Sequence, residues 1–115
     1  MTRIAIIGCG GMGTCHAQDL TEFGGVELHG YDDDLVALDR FSKRFSTVQV
    51  DIRTVDGVII CTPHYLHAKL AKTAIDAGIH VLVEKPLAMT HGEGLSIIEH
   101  PRPAANQIVA ICQHK

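Results

Sequence analysis

Two short stretches carry most of the residue types that could do chemistry: GCGGMG at 8–13 and Glu84-Lys85-Pro86. The first places glycines at Gly8, Gly10 and Gly13, a G-x-G-x-x-G spacing. The first glycine of such a loop permits a tight turn. The second lets a pyrophosphate approach the backbone, and the third allows close packing of a helix on a strand. Gly11 and Met12 lie at the helix start that follows, where unpaired N–H groups and the helix dipole favour a phosphate. Asp32 lies 24 residues beyond Gly8, in the run Tyr31-Asp32-Asp33-Asp34. An acid at about that distance accepts hydrogen bonds from an adenosine ribose. It could instead cap the next helix, and both roles fit the run if a neighbour caps while Asp32 binds. Asp32 would repel a 2′-phosphate, and the nearest arginine, Arg40, is two helical turns further on. NAD is therefore expected in preference to NADP.

The second stretch ends an apolar run in an acid, a base and a proline. Proline stops a strand and restricts the residue before it. Carboxyl ends of parallel strands line ligand crevices, so Glu84 and Lys85 are aimed at a cofactor or substrate if the run is such a strand. The plain alternative is a solvated strand end. Lys85–Pro86 is also a candidate cis peptide, since cis is cheap only before proline. His64 and His67 have H-x-x-H spacing, but no further ligand accompanies them, and no metal site is expected.

The elements that must position these residues alternate along the chain. Strands are predicted at 4–8, 26–32, 47–50, 57–62, 80–85 and 108–112. Helices are predicted at 12–23, with Cys15, Leu20 and Phe23 near one face, at 33–45, with Leu35, Leu38, Phe41 and Phe45 at helical spacing, and at 67–78. Thr90 and Glu93 form a capping box for a short helix. Continuous apolar strands separated by helices predict a doubly wound parallel α/β sheet in the order 3-2-1-4-5, a Rossmann fold in one domain. The crossing from the third strand to the fourth must cover about 20 Å. Residues 51–57 reach at most about 23–25 Å. No ordinary helix fits there, and a thinly covered patch of sheet is expected.

The 115 residues and a hydrophobic content of 46% suit one packed domain. A net charge of −3 gives no basic footprint for nucleic acid or a membrane surface, and no run approaches a membrane span. Four cysteines without a C-x-x-C pair read as reduced, in a cytoplasmic protein.

Combined, the motifs resemble the N-terminal domain of the glucose–fructose oxidoreductase/inositol dehydrogenase/MocA family. The resemblance rests on IIGCGGMGTCHAQDL (6–20), CTPHYLHAKLAKTAIDAGIHVLVEKPLAMT (61–90) and, more faintly, VAICQHK (109–115). It implies an NAD-dependent oxidoreductase that transfers hydride with a sugar- or polyol-like alcohol. Lys85 would orient substrate and stabilise developing charge, Glu84 would line the nicotinamide pocket, and Thr62 and Pro63 would border the cofactor. His67 matches a family histidine that either touches ligand or starts its helix, and His16 matches a first-helix histidine of structural character. Members also carry a second α/β domain with the acid–base histidine and the oligomer interface. That domain is absent from these residues, so catalysis by them alone is expected to be incomplete, and exposed surface is expected to make a two-fold homo-oligomer. The alternative is a nucleotide-binding sensor or interaction module without catalysis.

Overall fold

A computed structural model describes residues 2–47, 51–62, 64–85 and 90–113, with residues 64–67, 85 and 113 described by backbone alone. The order of elements is β1 (Thr2–Ile7), α1 (Gly11–Phe23), β2 (Val26–Tyr31), α2 (Leu35–Phe45), a 3₁₀ turn (Ile52–Thr54), β3 (Gly57–Ile60), α3 (His64–Asp76), β4 (His80–Lys85), α4 (His91–Ile98) and β5 (Val109–Gln113). All the strand pairs are parallel, and the sheet runs β2-β1-β3-β4-β5. The direction of winding reverses between β1 and β3, as the Rossmann expectation requires. Of the strand expected at 47–50, Thr47 lies outside any strand and residues 48–50 lie outside the described set.

Strand alternation divides the core in two. Ala5, Ile7, Val58, Ile60, Val81 and Val83 point to the α3–α4 side. Ile6, Leu28 and Ile59 point to the α1–α2 side, against Ala17 and Phe41. The inner stretches of β1, β3 and β4 are apolar on both faces because helices cover both. The face of α1 differs from expectation. Gly13 and Ala17 are buried and Leu20 packs beside them, whereas Cys15 is exposed and Phe23 is 87% exposed. Gly13, Ala17 and Leu20 follow the i, i+4, i+7 stripe, and the close seating of Gly13 on the loop fixes which stripe faces the sheet. On α2, Leu38, Phe41 and Phe45 pack as expected, while Leu35 at the first helical position is 75% exposed.

The segment before β3 holds a single 3₁₀ turn where a longer helix had no room. Asp51 accepts the Arg53 amide at its start (2.9 Å), and the Arg53 guanidinium returns to the same carboxylate at 3.1 and 2.7 Å. This pairing lowers the Asp51 carboxyl to about 2. The Asp56 carboxylate then accepts the Arg3 amide at 2.8 Å, seating the segment beside β1. Val55 and Ile52 pack on the α3-side core, so the segment itself covers the sheet there, and His29 beneath that side of β2 is 1% exposed.

Candidate cofactor and active site

The glycine loop sits where β2 and β3 diverge from β1. The Gly8 amide donates to the Tyr31 carbonyl on one side (2.8 Å), and the Cys61 amide donates to the Ile7 carbonyl on the other (2.7 Å). Gly8 adopts φ +95°, and a Cβ there would lie 2.8 Å from the Cys61 carbonyl carbon. Gly13 is tighter still, since a Cβ would meet the Gly8 oxygen at 2.0 Å. These two glycines are demanded by the fold. Gly10 and Gly11 are not, because a Cβ on either meets nothing within 4 Å. Their bareness leaves room for something outside the chain.

The start of α1 is prepared in the same way. Gly10 occupies the cap position and gives no side-chain bond, and no acid stands in the first turn. By contrast, α2 is capped by Asp34, which accepts from Val36 and Ala37, and α4 has the predicted Thr90–Glu93 capping box. The helix over the glycine loop thus keeps its donors for an anion. Met12, at this helix start, is 40% exposed.

Asp32 bridges the loop to the β2–α2 turn. One carboxylate oxygen accepts the Cys9 amide at 2.7 Å and the other accepts the Asp34 amide at 2.8 Å. Each oxygen keeps a lone pair for a hydroxyl donor. The division of labour within the acidic run is therefore that Asp34 caps and Asp32 stays available.

Two cavities flank the loop. One of about 360 Å³ is lined by Ile7, Tyr31, Asp32, Asp33, Thr62 and Lys69, among others. The Thr62 hydroxyl is buried and has no partner among the described residues, a polar group in need of one. The other, about 560 Å³, lies between the loop and α2 and is lined by Gly10, Gly11, Thr14, Arg40 and Arg44, with Phe41 behind. The winding of α2 thus brings Arg40 back to the loop, closer than its place in the sequence suggests.

At the far side of the switch, Lys85 is the last residue of β4, opposite Gln113 of β5. Glu84, expected to line a nicotinamide pocket, is 5% exposed, and its carboxylate meets the Nε2 of His16 on α1. This contact between residues 68 apart escaped the sequence reading, which had no pattern to link them. The neighbouring thiols are unreactive in character. Burial raises Cys9 to about 11 and Cys61 to about 12, and burial with the Glu84 charge raises Cys112. All four cysteines are free thiols. His67 lies in the first turn of α3 by its backbone, and Pro63 and the Lys85–Pro86 peptide fall outside the described residues.

Residues 2–111 match the model of an oxidoreductase family described by its NAD-binding Rossmann fold, the glucose–fructose oxidoreductase/inositol dehydrogenase/MocA family. The chain belongs to this family. It is 32% identical over 104 residues to UDP-N-acetylglucosamine 3-dehydrogenase of Acidithiobacillus ferrooxidans, covering 84% of this chain and 32% of that protein. It is 30% identical over 119 residues to inositol 2-dehydrogenase 4 of Saccharopolyspora erythraea, covering 95% of this chain and 35% of that one. Among solved structures, the WlbA dehydrogenase of Chromobacterium violaceum, in complex with NADH and UDP-GlcNAcA, superposes with a TM-score of 0.81 at 28% identity, covering 96% of this chain and 34% of that one. The GenD2 protein of gentamicin A biosynthesis, in complex with NAD, gives 0.78 at 29% identity, covering 96% and 34%. The chain spans about a third of the length of these relatives. The residues present fit the family's cofactor: an uncapped helix start over bare glycines, the Asp32 carboxylate with lone pairs to spare, and the buried Thr62 hydroxyl, which has no partner among the described residues. The chain is an NAD-binding Rossmann domain.

Proposed function

We propose that this domain holds NAD for an oxidoreductase that moves a hydride between the nicotinamide and a sugar- or polyol-like alcohol. The observation that carries the reading is the open, uncapped start of α1 beside Asp32 at the β1–β3 switch. In this placement the diphosphate lies on Gly10–Gly13 and the adenosine ribose on Asp32. The dinucleotide then crosses Thr62 so that its nicotinamide reaches the end of β4. When bound, NAD supplies the hydride acceptor. The chain's own residues bind and orient it, and Lys85 holds the substrate hydroxyl and stabilises the charge that develops on its oxygen. Pro63 and His67 border the same crevice in this proposal.

The substrate class is supported by the relatives, whose names specify inositol and a UDP-sugar. Those relatives are about three times longer, and the family resemblance implies that the acid–base histidine and substrate contacts belong to a second domain. Residues 1–115 alone are accordingly expected to bind NAD without turning over. Self-association belongs to the same proposal, since Leu95 and Ile98 of α4 and Ile108 before β5 are exposed apolar groups.

Fusing residues 1–115 to the remainder of inositol 2-dehydrogenase 4 tests the reading. NADH should form from inositol or UDP-N-acetylglucosamine, and Lys85→Ala should slow it by about a hundredfold or more while NAD still binds. A fusion that binds NAD yet oxidises neither alcohol, or that is indifferent to Lys85→Ala, contradicts it.

A further inference from the structure

We propose that His16 and Glu84 are a positioning pair that keeps the phosphate-binding helix in register with the strand end that carries Lys85. The inference rests on the cofactor placement just given. Glu84 is the penultimate residue of β4, across from Cys112 of β5, and its side chain is 7% exposed. A carboxylate so far out of water is costly unless it is paired. The imidazole of His16 meets it, and the Cys112 thiol hydrogen-bonds to it as well.

The elements joined by this contact belong to different layers and to opposite sides of the switch. Helix α1 packs over β1 and β2, whereas β4 lies beyond β3 on the other side of the switch. The His16–Glu84 contact therefore spans the line along which the dinucleotide crosses. The other contacts at the start of α1, Gly13 seated on the Gly8 oxygen and the Thr14 hydroxyl donating to the Cys9 carbonyl at 3.4 Å, hold it to its own loop and not to β4. The pair ties the second turn of that helix to the residue immediately before Lys85. Glu84 is too buried to present much surface to a ligand, so both side chains act through the elements they join. The ADP-ribose half of the cofactor depends on the loop and Asp32. Alignment of the nicotinamide half with Lys85 depends in addition on the pair.

Calorimetric titration with NAD and with ADP-ribose, which lacks the nicotinamide, separates the two halves. The wild type should bind NAD more tightly than ADP-ribose. His16→Ala should weaken NAD about fivefold or more, the size of a typical coupling between sites, and leave ADP-ribose nearly unchanged. His16→Ala also strands a buried carboxylate, which would lower stability. The double variant His16→Ala/Glu84→Ala removes that charge and should show the same selective loss. His16→Gln, which keeps an N–H donor, should recover part of the NAD preference. Equal losses for both probes, or no loss for either, overturn the positioning role and leave the cofactor reading intact. A wild type that binds both probes equally overturns the nicotinamide placement and the pair together. One that binds neither overturns the cofactor reading itself.

Discussion

The two ends of the cofactor crevice are built by different means. At the glycine loop, backbone does the work. Gly8 and Gly13 are packed so closely that neither tolerates a Cβ, and one carboxylate, Asp32, fastens the loop to the next turn. At the end of β4, side chains do it, with a buried Glu84 held by His16 from another layer of the fold. Backbone shape is local and is set by glycine positions. A buried contact between polar side chains is long-range and depends on the whole sheet being assembled. The first kind of site should therefore break with the fold, and the second should loosen while the fold survives.

The sharpest contrast lies within the loop itself. Gly13→Ala forces a Cβ to 2.0 Å from the Gly8 oxygen. It should destabilise the domain by about 3 kcal/mol or more and abolish NAD binding. Gly10→Ala meets no atom within 4 Å. Stability should change by less than about 0.5 kcal/mol, yet the methyl group obstructs the phosphates and NAD affinity should fall. Urea denaturation and NAD titration of both variants check the pair, and equal stability losses would erase the distinction between fold-demanded and ligand-demanded glycines.

Asp32→Ala tests the single side chain on which the loop depends. Two backbone donors, from Cys9 and Asp34, lose their acceptor. A stability loss of about 1–2 kcal/mol should accompany weaker NAD binding. Preference over NADP should narrow, because Arg40 and Arg44 already line the cavity beside Gly10 and Gly11. An unchanged ratio of the two affinities would place the ribose elsewhere.

A smaller effect comes from the thiols beneath the crevice. Burial raises Cys9 to about 11 and Cys61 to about 12, from an ordinary value of 9.0. Above pH 9 the unfolded chain gives up these protons while the folded one keeps them. Their contribution to stability is thus complete below pH 9 and is lost as pH rises towards 11 and 12. Denaturation midpoints should fall over that window, and less so in Cys61→Ser. At pH 8, exposed Cys15 should react with iodoacetamide well before the other three, as mass spectrometry of the modified peptides would record.

The sequence was informative wherever local chemistry governs. The glycine spacing, the Thr90–Glu93 capping box and the limits of β4 at 80–85 all follow from short-range rules, and the structure has them in place. The lack of room for a helix before β3 followed from chain length alone. What escaped depended on tertiary placement. The buried stripe of α1 was set by the seating of Gly13 on the loop, a contact no hydrophobic pattern displays. Arg40 seemed remote because sequence distance conceals the turn of α2 back over the loop. The His16–Glu84 contact joins two polar residues that no periodicity connects.

The central claim is that the loop and Asp32 hold NAD in preference to NADP. Calorimetric titration of the 115-residue protein with each nucleotide tests it directly. The account predicts saturable one-to-one binding of NAD, tighter than NADP by about tenfold, or ~1.4 kcal/mol. Binding of neither nucleotide, or equal or tighter binding of NADP, would contradict it.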